Sequence, residues 1–136
     1  MYLLDTDILS NLVKRTPSTA LVAKLASVPQ ETQFTSSITL GEMVYGTCRM
    51  PAHTELFLGR LERVLLPNLA ALPFDVAAAR RYGELRAELE NRGTPLGEAD
   101  LRIGAIALSR SLTVVTGYVR HFRRIPGLAV ENWLEG

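Results

Sequence analysis

The stretch Pro95–Phe122, PLGEADLRIGAIALSRSLTVVTGYVRHF, decides the fold class. Gly97 breaks the chain, and Leu101, Ile103, Ile106, Ala107 and Leu108 then make a largely apolar helix. Leu112–Thr116, LTVVT, is a short β-branched run with strand character, and Gly117 ends it. A loop, a buried helix, a strand and a second loop follow one another within 28 residues, which is the rhythm of an α/β chain. Asp100 falls in the first turn of this helix, where the helix dipole favours an anion. Capping alone explains such an acid unless others converge on it from elsewhere.

The N-terminus supplies the first of these. Tyr2-Leu3-Leu4 is an apolar run stopped by Asp5, as in a buried central strand of a parallel sheet. Ligands of open α/β sheets bind beyond the carboxyl ends of such strands. Ile8, Leu9, Leu12 and Val13 then mark a helix, with Thr6 or Asp7 as its expected cap, so one of the two aspartates is spare. Thr19–Val28 reads as a helix with Leu21, Val22 and Leu25 inward. Thr32–Ser36 reads as a strand, and a helix follows from near Ser37 with Glu42 one turn in.

Pro51 opens the next predicted helix, with Leu56, Phe57, Leu61, Val64 and Leu65 as its stripe. Leu69–Leu72 with Phe74 is expected to be a strand. Asp75–Asn91 is a long helix facing inward through Val76, Ala79, Tyr82, Leu85 and Leu89, with Gly93 as its stop, and Leu128–Val130 is a last strand. The expected fold is one α/β domain over residues 1–136, with a central, mostly parallel sheet of four or five strands flanked by helices.

Composition narrows the function classes. The 136 residues are 47% hydrophobic, which supports a packed core rather than disorder. No apolar run approaches the roughly 20 residues that span a bilayer, and the N-terminus does not have the pattern of a secretory signal. Cys48 is the only cysteine, expected as a small buried hydrophobe in a reducing, cytoplasmic compartment. Net charge is +1, but thirteen of the fifteen basic residues are arginine, the better fork for phosphate. Arg120, His121, Arg123 and Arg124 form a dense run suited to RNA phosphates or to a solvated face. His53 is expected at the surface and Trp133 as a packing anchor.

Asp5 ends a strand, Glu42 lies early in the helix after another, and Asp100 lies early in the helix before a third. A doubly wound sheet can gather all three at its carboxyl edge. Clustered carboxylates raise one another's pKa unless a cation neutralises them. Oxygen-only donors suit Mg2+ or Mn2+, ions that activate water and clamp phosphoryl oxygens.

Four segments in order, LLDTDILS, TLGEMVYG, PLGEADLRIGAIAL and VVTGYVRHFRRIPGLAVENW, make the chain similar to the PIN-domain family. Within that family it resembles the VapC-type toxins of bacterial toxin–antitoxin pairs. The resemblance implies a divalent-metal-dependent endoribonuclease held in check by a cognate VapB-like antitoxin, cytoplasmic and homodimeric. It carries the catalytic role onto Asp5, Glu42 and Asp100, and metal ligation onto Asp5 and Asp100, with Glu42 as a further candidate. In the family an Asp or Asn follows two residues after the strand that ends at Thr116; here that position is Tyr118. A phenol, which titrates near 10, is a poor neutral ligand for Mg2+. Glu98 is the candidate substitute ligand, unless a one-metal site dispenses with the fourth group. Two other readings stay open: a catalytically weakened PIN-like module that binds RNA or an antitoxin, and an aspartyl-phosphate hydrolase for which Leu4-Asp5-Thr6-Asp7 would supply the nucleophile. The second lacks the later lysine and the acid pair that such chemistry needs.

Overall fold

A computed structural model describes residues 1–136 except Pro51, His53 and Gly136. The expectations for Pro51 and His53 therefore lie outside the described residues. The chain runs β1 (Tyr2–Leu4), α1 (Thr6–Leu12), α2 (Thr19–Ser27), β2 (Gln33–Ser36), α3 (Ser37–Cys48), α4 (Thr54–Arg60), β3 (Ala70–Leu72), α5 (Val76–Asn91), α6 (Glu98–Ser109), β4 (Thr113–Val115), α7 (Val119–Phe122) and β5 (Val130–Glu131). Every described strand pair is parallel, and the sheet order is β3-β2-β1-β4-β5. The first strand of the sequence is thus the middle strand of the sheet.

The two-residue period of a strand sends neighbouring side chains to opposite faces. Leu3 and Val114 enter one core cluster with Ala78, Leu85 and Leu89 of α5, Ile103 and Ile106 of α6, and Phe122 of α7. Leu4 and Val115 enter the other, with Ile8, Leu9, Leu21, Met43 and Trp133. Both faces of the central strands are covered, which is why LL and VV read as unbroken apolar runs. Each fully buried Leu or Val contributes roughly 1.5–3 kcal/mol. Three-residue strands hold their place because helices clamp the sheet from both sides.

Differences from the sequence expectations are local and have physical causes. The inward stripe of α5 is Ala78, Tyr82, Leu85 and Leu89; Val76 and Ala79 face solvent. Val76 opens the helix beyond the edge of the sheet, and Asp75, whose carboxylate accepts from the Ala78 N–H at 2.9 Å, is the cap. Val22 of α2 is exposed while Leu21 is fully buried. After α4 the helix widens into a π turn over Leu61–Leu65. The extra residue per turn shifts the facing within it, so Leu61 is buried and Val64 exposed; Leu56, in α4 before the turn, is exposed as well. The last strand begins at Val130 rather than Leu128, since Gly127 turns the chain at φ +78° just before it. Cys48, expected inside, is exposed at the end of α3. Trp133 is buried edge-on against Tyr2, centroids 4.8 Å apart, the packing anchor expected of it.

Candidate active site

Because all strands are parallel, their carboxyl ends lie on one edge, and three chain segments bring acids there. Asp5 follows β1 and is the residue at the N-cap of α1, but its side chain makes no capping hydrogen bond. Thr6 and Asp7 are therefore not the cap, and the Asp5 carboxylate is the spare group. Glu42 sits on the exposed side of α3, just beyond β2. Asp100 lies in the first turn of α6. Asp5, Glu42 and Asp100 line one cleft of about 400 Å³, together with Thr6, Asp7, Ser10, Lys14 and Tyr118.

Each acid is steered by a neighbour. The Thr116 hydroxyl donates to Asp5 Oδ2 at 2.9 Å. The Thr6 hydroxyl donates to Glu42 Oε1 at 2.6 Å. His121 Nδ1 lies 3.4 Å from Asp100 Oδ2. Asp7 is tied to the backbone of the opposite loop: Oδ2 accepts from the Gly117 N–H at 2.7 Å, and Oδ1 lies 3.3 Å from the Thr116 hydroxyl. A Cβ at Gly117 would stand 2.6 Å from Asp7 Oδ2 and 3.0 Å from Leu134, so any larger residue there would displace the Asp7 carboxylate from the Gly117 N–H.

Electrostatics mark the same place. Asp5 is only 3% exposed. Burial pushes its carboxyl up to about 7, with the charges of Asp7 and Asp100 adding to the rise, while hydrogen bonds from the Thr6 backbone and the Thr116 hydroxyl oppose it. Asp100 is raised as well, first by burial and then by Asp7, with His121 working in the opposite direction. Acids this crowded want a cation. The donor set is oxygen-only, which fits a hard divalent ion. Among the described residues no three acid, histidine or cysteine side chains close into a ready-made ligand cage. Mg2+ suits such a site, since it keeps several waters and takes only one or two carboxylates directly.

Comparison with known proteins gives the family. The PIN domain family profile matches residues 2–128. The chain belongs to the PIN domain family. It is 36% identical over 138 residues to the tRNA(fMet)-specific endonuclease VapC of Shigella flexneri, covering 97% of each chain. It is 38% identical over 120 residues to the VapC ribonuclease Y4jK of Sinorhizobium fredii, covering 85% of this chain and 86% of that one. The crystal structure of FitAcB from Neisseria gonorrhoeae matches with a TM-score of 0.90 and 31% identity over 100% of both chains. DNA-bound VapBC from Salmonella typhimurium matches with a TM-score of 0.89 and 36% identity over 97% of both. A PIN domain of the VapC type thus accounts for the fold along essentially its whole length.

One sequence expectation for this PIN domain needs correction. Glu98 does not reach the cleft. It pairs with Arg86 at 3.0 Å and Arg102 at 3.4 Å, and it accepts a hydrogen bond from the Tyr82 hydroxyl, all on the α5–α6 flank. Two residues along a helix turn a side chain through about 200°, so Glu98 and Asp100 cannot face the same way. The members of the basic run differ in their contacts. Arg120, His121, Arg123 and Arg124 are all exposed, but Arg124 donates to the Pro95 carbonyl at 3.1 Å and His121 turns to Asp100. Arg120 and Arg123 have no ion-pair partner among the described residues. Sequence reading missed Ser10 and Lys14. Their signal was present, since Asp7, Ser10 and Lys14 recur at helical spacings of three and four.

Proposed function

We propose that this chain is a VapC-type endoribonuclease, dependent on a divalent metal ion and silenced by a cognate antitoxin. The observation that carries the reading is the cleft at the strand ends, which Asp5, Glu42 and Asp100 line together and where burial and neighbouring charge hold Asp5 near 7. Asp5 and Asp100 would hold Mg2+ or Mn2+, with Glu42 reaching it directly or through water. Such an ion, when bound, supplies an activated water and neutralises phosphoryl charge.

The chain's own residues do the rest. Thr116 fixes the Asp5 carboxylate, Thr6 fixes Glu42, and His121 fixes Asp100. Asp7 holds the Thr116–Gly117 turn in register with the central strand. Arg120 and Arg123 offer cations to RNA phosphates beside an acidic cleft that would otherwise repel them. The chain also resembles VapBC-5 of Mycobacterium tuberculosis, a member of the VapBC family of toxin–antitoxin systems, and a toxin–antitoxin complex from Klebsiella pneumoniae, which supports a VapB-like partner. An antitoxin arginine entering the cleft would neutralise the same acids. Exposed Leu56 and Val64 line one shallow groove of α4 and the π turn, an apolar surface that a second copy of the chain would cover in a homodimer. No helix among the described residues is long and apolar enough to cross a membrane, and a cytoplasmic site of action fits an RNA substrate.

The test is cleavage of purified RNA, with initiator tRNA first because of the name borne by the Shigella relative. Cleavage is expected with Mg2+ or Mn2+. It is expected to be lost in EDTA and in Asp100→Asn, and blocked by the co-expressed antitoxin. Cleavage that persists in EDTA, or that survives Asp100→Asn, would overturn the assignment.

A further inference from the structure

Tyr118 is out of place in the cleft it lines. The other lining residues are acids, hydroxyl residues and a lysine, whereas this is a large ring, 57% exposed and outside both core clusters. It is nevertheless not loose. Its ring stacks on the His121 ring, centroids 5.7 Å apart and planes within 11°. His121 is itself held by Asp100 at 3.4 Å. The Tyr118 N–H donates to the Thr116 hydroxyl at 2.9 Å, and the preceding Gly117 N–H is bound by Asp7. His121 lies against one ring face, and more than half of Tyr118 stays exposed where it lines the cleft.

A rigid aromatic face flanked by unpaired cations is how proteins hold unpaired bases. Stacking on such a ring is tolerant of sequence, and arginines beside it take the phosphates. Arg120 and Arg123, two and five residues along from Tyr118, are exposed and unpaired among the described residues. We propose that Tyr118 is a stacking platform for an unpaired RNA base next to the cleavage site, pre-oriented by His121. The proposal rests on the ribonuclease reading and refines its substrate: RNA that is single-stranded, or has a base free to swing out, where the backbone crosses the acids. In an intact duplex the bases are stacked on one another, so no face is offered to the ring.

The experiment uses the full chain carrying Asp5→Asn to stop turnover. The probe is a short single-stranded oligoribonucleotide with 2-aminopurine placed at each position in turn. Stacking on an aromatic ring quenches that base. Quenching is expected at one or two adjacent positions, retained in Tyr118→Phe and lost in Tyr118→Leu. Affinity should fall about tenfold in Tyr118→Leu, within the range that removal of a stacked aromatic causes. The same strand annealed to its complement should bind equally to both variants. If Tyr118→Leu matches Tyr118→Phe in quenching and affinity while the Asp5-bearing chain cuts RNA, the platform is refuted and the ribonuclease reading stands. Loss of antitoxin affinity in Tyr118→Leu, with RNA binding unchanged, would refute it in favour of a protein contact. If the Asp5-bearing chain neither binds nor cuts RNA, both readings fall.

Discussion

Replacing Asp5 with Asn should make the metal-free protein more stable at neutral and alkaline pH while removing its activity. The carboxyl is almost wholly buried, and its folded-state value of about 7 stands far above the ordinary 3.8. That gap corresponds to about 4 kcal/mol held against the ionised fold. The sign follows from proton linkage. Below pH 3.8 both folded and unfolded chains keep the proton, and nothing is lost. Between 3.8 and about 7 only the folded chain keeps it, so stability falls as pH rises; above 7 the whole penalty stands. Asn keeps a carbonyl for the Thr116 hydroxyl but brings an amide that needs its own partner, which returns part of the gain. A net increase of about 2 kcal/mol at pH 8 is expected, or about 6–8 °C in Tm for a chain of this size. The assay is thermal and urea unfolding in EDTA at pH 5 and pH 8. Wild-type stability should drop between the two, and the drop should shrink in Asp5→Asn. Added Mg2+ should raise the wild-type Tm and leave the variant's nearly unchanged, since only a ligand bound to the folded state stabilises it. A variant no more stable than wild type at pH 8 in EDTA would refute the penalty that burial, with the nearby acids, places on the ionised Asp5 carboxylate.

Other perturbations test separate parts. Gly117→Ala places a methyl group against Asp7 Oδ2 and Leu134, and should cost about 1–3 kcal/mol in urea unfolding and lower cleavage as the Thr116 turn shifts. Gly104→Ala drives a Cβ into the Ile125 side chain in the α6 core; a loss of similar size is expected there, with cleavage per folded molecule unchanged. Arg120→Glu with Arg123→Glu should weaken RNA binding and flatten the plot of log affinity against log salt, whereas Arg124→Glu, which loses the Pro95 tether, should change that slope less. Tyr118→Asn supplies a carbonyl oxygen at the cleft and should lower the Mg2+ concentration needed for half-maximal cleavage; an unchanged Mg2+ requirement would show that the fourth oxygen is dispensable. Glu98→Gln should leave that requirement alone, because its carboxylate is spent on Arg86 and Arg102.

Much of this architecture is written in short apolar runs. LL before Asp5 and VV before Thr116 are buried on both faces, and that double burial is legible because no polar residue interrupts them. The three acids were legible for a related reason: each stands where a strand hands over to a helix, and parallel strands put those points on one edge. Facing along the helices was harder to read. Alanines fit either side of α5, so apolar spacing alone did not separate Ala78 from Ala79, and nothing in LERVL announces a π turn. Long charged side chains were hardest. Glu98 and Asp100 look equivalent in sequence, yet two partners of Glu98, Tyr82 and Arg86, come from α5, whose placement depends on the whole core.

Asp7 shows how the site depends on the fold more tightly than its acids alone suggest. It belongs to α1, directly after the central strand, and it holds the loop that follows β4, more than a hundred residues away in the chain. The Thr116 hydroxyl in that loop positions Asp5, and its backbone carries Tyr118 and then His121, which meets Asp100. One carboxylate therefore ties two of the three candidate ligands and the aromatic rim to the same strand junction. Asp7→Ala removes these bonds without taking away any proposed ligand. It leaves the Gly117 N–H without its partner, at a cost of about 1–3 kcal/mol if water does not replace it. The expected signature is a fall in cleavage that higher Mg2+ restores only in part, because the ion can refill the site but cannot rebuild the turn. Asp7→Asn, whose carbonyl still accepts from Gly117, should recover most of the rate. If Asp7→Ala cleaves as well as wild type at saturating Mg2+, the turn is held by the sheet alone and Asp7 contributes only its charge.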